Sequence, residues 1–278
     1  MLDAGIARIV VATLDPNPLV QGKGIEALRN HGLQVEIGLL EQQARQLNRG
    51  FIQRMQSHRP WITVKSAATL DGRTALENGE SKWITNTQAR QDVQYLRARH
   101  DAVLTGIGTV LSDNPSLNVR LTPVELAIEG EIMQPLRVVL DTHLKISKQA
   151  KLLSLPGNSL IYSSLDNATN DLQNIDNCEV AYVKTEDEYL CLNSVLGDLA
   201  KREINSVLVE AGSRLAGALF KNKLVDEFVF YIAPKLFGSN ARGLLDIGSL
   251  SSIDDHIALD IKDVRNVGND LRITALVN

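Results

Sequence analysis

The chain has 278 residues, enough for one large domain or a medium domain plus a smaller piece, and its 44% apolar and 22% charged side chains exclude a disordered, collagen-like or membrane-spanning chain. Its 29 basic against 33 acidic residues leave a net charge of −4 and no basic stripe to neutralise a phosphate backbone, which argues against nucleic acid as a partner. No window approaches the roughly 20 apolar residues that cross a bilayer, and Met1–Thr13 lacks the pattern of a secretory signal, so the expected site of action is cytoplasmic.

Ile6–Ala12 is a β-branched run, Ile25–Asn30 reads as a short helix closed by Gly32, and Leu33–Ile37 reads as a second strand. They alternate as in a βαβ unit too small to close a core alone. Between Glu41 and Ser57 the spacing of Ala44, Leu47, Phe51, Ile52 and Met55 predicts one helix with a single apolar face. His58-Arg59-Pro60 ends it, because proline disfavours helix in the preceding residue. The expected domains are a small piece over 1–57 and a larger one over 58–278.

Beyond Pro60 strands and helices alternate. Trp61–Ala68 reads as a strand, Asp71-Gly72 as a turn, Thr87–Arg99 as a helix with Val93 and Leu96 inward, and Ala102–Thr105 as a buried strand. Arg137–Leu140, Ser159–Tyr162, Val180–Val183 and Ser206–Val209 follow as strands, with a helix over Leu192–Arg202. Glu227–Ile232, Ile257–Ile261, Val264–Val267 and Leu271–Leu276 close the chain with no long helix among the last three. The pattern predicts a mainly parallel sheet finished by antiparallel strands.

Three stretches carry chemistry. In Val207–Gly217 an apolar strand runs into a glycine turn and a helix, which aims free N–H groups and the helix dipole at whatever sits above the sheet. Phosphate fits there, and so does a plain tight turn. Glu210 ends that strand, where open α/β sheets place ligands, although an N-cap or a salt bridge is an equally common role. In Lys65–Arg73, Lys65 and Ala67 share a face; the lysine either packs its stem while its head reaches water or serves a site. Trp83, taken alone, reads as core. In Thr105–Pro115 the glycines do not complete GxGxxG, since Leu111 occupies the last position, which excludes that dinucleotide fingerprint. Arg97 and Arg120 are candidate forks for phosphate or carboxylate, or surface charges. The five histidines are scattered without metal-ligand spacing, so no metal is expected. Cys178 and Cys191 are expected to be buried reduced thiols.

Taken in order, Lys65…Asp71-Gly72-Arg73, Gly79-Glu80-Ser81-Lys82-Trp83-Ile84-Thr85, Thr109-Val110-Leu111 with Asp113 and Pro115, Val209-Glu210-Ala211-Gly212, Tyr231–Lys235 and Ala241-Arg242-Gly243 resemble the reductase domain of the bifunctional riboflavin-biosynthesis deaminase/reductase family. The resemblance runs from about Trp61 to the C-terminus. It implies an α/β fold like dihydrofolate reductase, a mixed sheet flanked by helices, binding NADPH outside the strand ends. Residues 1 to about 55, through Asp3–Ile6 and Asp15–Pro18, resemble the close of that family's cytidine-deaminase-like domain. The His-x-Glu and Pro-Cys-x-x-Cys pair that holds zinc in the family does not occur in this sequence, so no deaminase activity is expected.

The resemblance further implies reduction of 5-amino-6-(5-phosphoribosylamino)uracil to 5-amino-6-(5-phosphoribitylamino)uracil by NADPH, in a homodimer. By family matching Ala67, Trp83, Thr109, Asp113, Thr142 and the turn Gly212, Ser213, Arg214, Leu215, Ala216, Gly217 and Ala218 contact NADPH. Ser81, Arg97, Leu117, Arg120 and Glu210 contact the substrate, Arg97 and Arg120 at its phosphate, and Lys65 is the candidate for polarising or protonating the ribose oxygen. Two other readings stay open: a non-catalytic nucleotide-binding or scaffolding partner of a separate deaminase, and a dihydrofolate-type reductase of another pteridine or pyrimidine.

Overall fold

The computed structural model describes residues 4–164 and 171–277. The chain divides into two compact units, one of the residues up to Trp61 with Leu196–Asn205, the other of Ile62–Val195 and the residues from Ser206 onward.

In the first unit β1 (Arg8–Val11), α1 (Lys23–Asn30) and β2 (Gln34–Ile37) form a βαβ element with the two strands parallel, Ile9 opposite Val35. Arg8 and Glu36 form an exposed two-pronged ion pair across the strands (2.7 and 3.0 Å), of a kind worth little in water. The single helix expected over 41–57 is two, α2 (Glu41–Leu47) and α3 (Arg49–Ser57). Asn48 breaks it: its backbone leaves the helical region (φ −105°, ψ 16°) and its side-chain amide donates to the Ala44 carbonyl at 2.8 Å, the competition with helical bonding that makes asparagine a terminator. Arg54 Nε donates to Asn205 Oδ1 at 2.7 Å, tying α3 to the later segment of the same unit.

The second unit contains β3 (Trp61–Thr69, starting at the boundary residue), β4 (Arg73–Ala75), α4 (Thr87–Ala98), β5 (Ala102–Gly106), α5 (Ile107–Asp113), α6 (Pro123–Leu126), β6 (Leu136–Leu140), β7 (Ser159–Ser164) and β8 (Cys178–Val183). The two-residue strands β9 (Thr185–Glu186) and β10 (Tyr189–Leu190) follow, then α7 (Leu192–Lys201), whose residues from Leu196 belong to the first unit, and β11 (Ser206–Val209), α8 (Ser213–Lys221), β12 (Glu227–Ala233), β13 (Arg242–Gly243), β14 (Leu259–Val267) and β15 (Asp270–Val277). Nine strands form one sheet in the order β14-β15-β12-β3-β11-β5-β6-β7-β8.

The pairs from β12–β3 across to β7–β8 recorded in register are parallel, whereas β12–β15 and β14–β15 are antiparallel. This is the mixed sheet that the strand pattern predicts. Its central strands read as unbroken apolar runs because both faces are covered; Ala102–Leu104 and Val207–Val209 are fully buried. The two strands expected at Ile257–Ile261 and Val264–Val267 are one, β14, whose pairing slips between Ile261 and Asp263. An extra residue there bends the strand without ending it.

Helix α4 is fixed from both ends of its sequence logic. Asn86 caps it by accepting from the Ala89 amide (2.8 Å), donates its own amide to the Val267 carbonyl (2.8 Å), and its backbone N–H is held by the buried Asp270 carboxylate (2.8 Å). The cap therefore ties α4 to the β14–β15 turn. Gly268 in that turn has φ +62°, and a Cβ there would run into the Gln88 side chain. The inner face of α4, Ala89, Val93 and Leu96, packs on Val103, Val139, Ile161, Leu208, Val229 and Tyr231. Each such Val, Leu or Ile contributes about 1.5–3 kcal/mol by burial. Among the described residues no helix is long and apolar enough to cross a membrane.

Candidate active site

Three charged side chains from three elements meet at the carboxyl end of the central strands. Glu210 directly follows β11, only 9% exposed, and its backbone is locked by its N–H to the Leu104 carbonyl (2.9 Å) and by the Thr105 hydroxyl on its own carbonyl (2.7 Å). Arg97, from the last turn of α4, donates through Nε to Glu210 Oε1 (2.6 Å) and through Nη2 to Oε2 (3.1 Å). Lys65, at the middle of β3, places Nζ 3.1 Å from the same Oε2. Burial pushes the Glu210 carboxyl up, but Arg97 and Lys65 outweigh it by charge and hydrogen bonding and hold it far below the ordinary carboxylate range. Glu210 is thus the salt-bridging anion among the roles left open for it, and the Lys65 head is paired rather than simply solvated.

The expected substrate arginines part company. Arg97 is 8% exposed, and its third donor, Nη1, reaches the Asn118 carbonyl at 2.9 Å; its fork is filled by protein acceptors. Arg120 keeps an exposed head. Its backbone N–H is held by Gln94 Oε1 (3.1 Å), and Nη1 lies 3.4 Å from Asn118 Oδ1. Partial desolvation and the Arg97 charge lower the Arg120 guanidinium while Glu210 opposes them, so the four charges share one field. Leu117, also expected at the substrate, is 2% exposed with φ +52°. Its side chain belongs to the core. Ser81 is half-buried.

The residues expected at the cofactor are spread along the same strand ends. Ala67 lies on β3 opposite Tyr231 of β12. Trp83 is 65% exposed, contrary to its reading as core, with the Arg90 guanidinium 4.5 Å from its ring centre. Beside it Lys82 Nζ lies 3.5 Å from Asp113 Oδ1 at the end of α5, which also carries half-buried Thr109. Thr142 follows β6, its carbonyl accepting from the Ser163 hydroxyl (3.0 Å) and the Ser164 amide (3.2 Å). In the 212–218 turn, Gly212 enters α8 with no side-chain cap, and a Cβ on it would meet nothing within 4 Å. Ser213, Arg214, Leu215 and Ala218 are half-buried or exposed. Ala216 and Gly217 are buried, and Gly217 packs so closely that a Cβ would overlap the Asp246 backbone. Those two build the seat of the helix rather than its open end.

Sequence reasoning assigned no role to several residues that frame this region. The Asp71 carboxylate accepts from the Phe237 (3.0 Å) and Gly238 (2.8 Å) amides and from the Thr69 hydroxyl. The Thr69 hydroxyl is the main influence holding it below its ordinary range, with the two amides assisting against burial. Lys235 Nζ donates to the carbonyls of Trp83 (2.9 Å) and Ile84 (2.7 Å), so the Trp83 loop hangs on the segment that follows β12. Buried Tyr231 donates its hydroxyl to Asp92, which also receives Arg272 at 3.0 Å. Burial, then the bond to Asp92, pushes the phenol well above its usual range. Only a polar residue on the inner face of α4 hinted at this group. Of the cysteines, Cys191 is buried and Cys178 only half so.

The RibD C-terminal domain model matches residues 60–273. The chain is 39% identical to the riboflavin biosynthesis protein RibD of Escherichia coli K12 over 276 residues, covering 98% of this chain and 74% of the relative. It is 40% identical to RibD of Haemophilus influenzae, covering 99% and 74%. Solved RibD of Acinetobacter baumannii superposes with TM-score 0.88 at 34% identity, over 100% of this chain and 74% of that one. A Thermotoga maritima diaminohydroxyphosphoribosylaminopyrimidine deaminase/5-amino-6-(5-phosphoribosylamino)uracil reductase gives TM-score 0.83 at 31% identity, over 100% and 73%. The chain therefore spans about three quarters of the length of these relatives. Reductases of this kind work with a nicotinamide cofactor. With the dihydrofolate-reductase-like sheet, the strand-end ion cluster and these matches agreeing over the same residues, the chain belongs to the RibD C-terminal domain family and is a riboflavin-biosynthesis reductase.

Proposed function

We propose that the chain reduces 5-amino-6-(5-phosphoribosylamino)uracil to its ribitylamino product with NADPH. The observation that carries this reading is the buried Lys65–Glu210–Arg97 cluster at the carboxyl end of the central strands, where open α/β sheets receive ligands. The uncapped start of α8 at Gly212 suits a pyrophosphate, and the exposed face of Trp83 suits a flat ring; the cofactor fits these residues. When bound, NADPH supplies the hydride.

The protein's own work is placement and charge. Arg97 holds Glu210, and Glu210 holds the Lys65 ammonium on the β3 face that also carries Ala67. From there Lys65 polarises the ribose oxygen and supplies its proton. Arg120, whose head is exposed, receives the phosphate; Arg97 acts through Glu210 as a positioning residue. Asp113, Thr109 and Thr142 line the cofactor's course, and Ser81 with the Leu117 backbone meets the substrate. In this reading residues 1–57 are the closing part of a deaminase-like domain, and the enzyme acts in the cytoplasm as a homodimer. Loss of NADPH absorbance with enzymatically generated substrate tests the activity; a folded, NADPH-binding protein that gives no turnover would overturn it.

A further inference from the structure

Three consecutive carbonyls, those of Trp83, Ile84 and Thr85, each receive a donor from a cationic side chain. Lys235 Nζ, just after β12, serves the first two (2.9 and 2.7 Å), and Arg90 Nη1 serves the third (2.7 Å). Arg90 also donates through Nη2 to the Thr87 hydroxyl at 2.8 Å and lays its guanidinium 4.5 Å from the centre of the Trp83 ring. Its own place is fixed, because the Asn86 cap ties the start of α4 to the β14–β15 turn. The Ile84 side chain is buried and anchors the same loop from within.

Among the described residues neither Arg90 nor Lys235 forms an ion pair with a carboxylate. The neighbouring Lys82, by contrast, lies 3.5 Å from Asp113. The planar fork of Arg90 is used twice by the loop and once, through its flat face, by the indole, a combination open to a guanidinium and closed to an ammonium. With one face of the ring under Arg90, the 65% of Trp83 that stays exposed is the opposite face and the edges. A surface side chain ordinarily loses rotamer freedom when a ligand immobilises it, and that loss weakens binding. Here the fold has already ordered both the ring and the backbone that carries it.

We propose that Arg90 and Lys235 are positioning residues for the cofactor, holding the Trp83 indole as a preformed platform on whose open face a flat ring stacks. The proposal rests on the reading of Trp83 as a cofactor contact. Arg90 acts through the ring and Lys235 through the backbone beside it. Such preorganisation raises affinity without adding a contact to the ligand. The platform serves ground and transition states alike, so its loss appears in KM and not in kcat.

Steady-state kinetics and calorimetric NADPH titrations of the whole chain test this. Arg90→Met and Lys235→Met should each raise the KM and Kd for NADPH by about fivefold, with kcat and the KM for the pyrimidine changed by less than about twofold. Arg90→Lys should match Arg90→Met, since lysine has neither the fork nor the flat face, whereas Lys235→Arg, which keeps donors for both carbonyls, should restore most of the affinity. Trp83→Leu should itself weaken NADPH, and Arg90→Met added to it should change little more, because the arginine acts through the ring. Should Lys235→Met fail to fold, the Arg90 variants and this double change decide. Unchanged NADPH affinity in Arg90→Met, losses that add fully to those of Trp83→Leu, or a fall in kcat at constant KM would overturn the proposal while leaving the cofactor at Trp83. Unchanged affinity in Trp83→Leu would instead remove Trp83 from the cofactor, and the proposal with it.

Discussion

Arg97 and Glu210 lie 113 positions apart in sequence and meet in a two-pronged ion pair, 2.6 and 3.1 Å, with both side chains 9% exposed. The pair bolts the last turn of α4 to the end of β11. It also leaves the Glu210 oxygen shared between Arg97 Nη2 and Lys65 Nζ, so the group that stabilises the fold is the one that aims the lysine.

Glu210→Ala should therefore cost about 3–5 kcal/mol, because it strands a buried guanidinium. Urea unfolding measures this. Arg97→Ala combined with Glu210→Ala should cost clearly less than the sum of the single changes, since the second removal relieves the charge the first exposed; additive costs would show that the two residues act separately.

The same pair sets an acid dependence. Glu210 titrates far below its ordinary value of 4.5 in the folded protein, so between those two values the unfolded chain binds the extra proton. Its stabilisation is complete above that ordinary value and is lost progressively as pH falls below it toward the folded value. Melting temperature followed downward from neutral pH should show this decline, and Glu210→Gln should flatten it.

Steady-state kinetics separate the two roles proposed at the substrate. Lys65→Met should lower kcat by about a hundredfold or more, the scale of a lost proton donor, with the melting curve still cooperative. Arg120→Ala should raise KM with little change in kcat, as for an interaction made equally in ground and transition states. An unchanged KM would remove Arg120 from the phosphate.

Gly217 opposes two effects. Alanine gains about 1 kcal/mol over glycine in a helix, but its Cβ would overlap the Asp246 backbone, and overpacking of this kind costs about 1–3 kcal/mol. Gly217→Ala should thus destabilise on balance, and a shift in urea midpoint reads the sign. The contrasting Gly212→Ala, with open space around its Cβ, should be tolerated.

Most of the second unit was legible because its signals are local. Apolar runs such as Val207–Val209 can only be buried strands, and glycine turns announce the helices after β5 and β11. Where two local signals competed, the reading failed: Asn48 ended a helix that apolar spacing would have continued, and a bulge joined what looked like two strands into β14. Trp83 read as core by residue type, yet its ring is exposed beneath Arg90, in a loop whose Trp83 and Ile84 carbonyls are held by Lys235 just after β12.

The sequence by itself determined the alternation of strands and helices, the antiparallel finish, and the family to which Lys65, Asp113 and Glu210 point. Tertiary structure alone decided which charges pair. Arg97 looked like a fork for phosphate, and only the approach of α4 to β11 makes Glu210 its partner and leaves Arg120 as the exposed head. It also decided that Arg137 would be sealed with half its donors unmet. Backbone pattern is written in neighbouring residues, whereas the balance between desolvation and Coulomb attraction depends on distances between residues far apart in the chain.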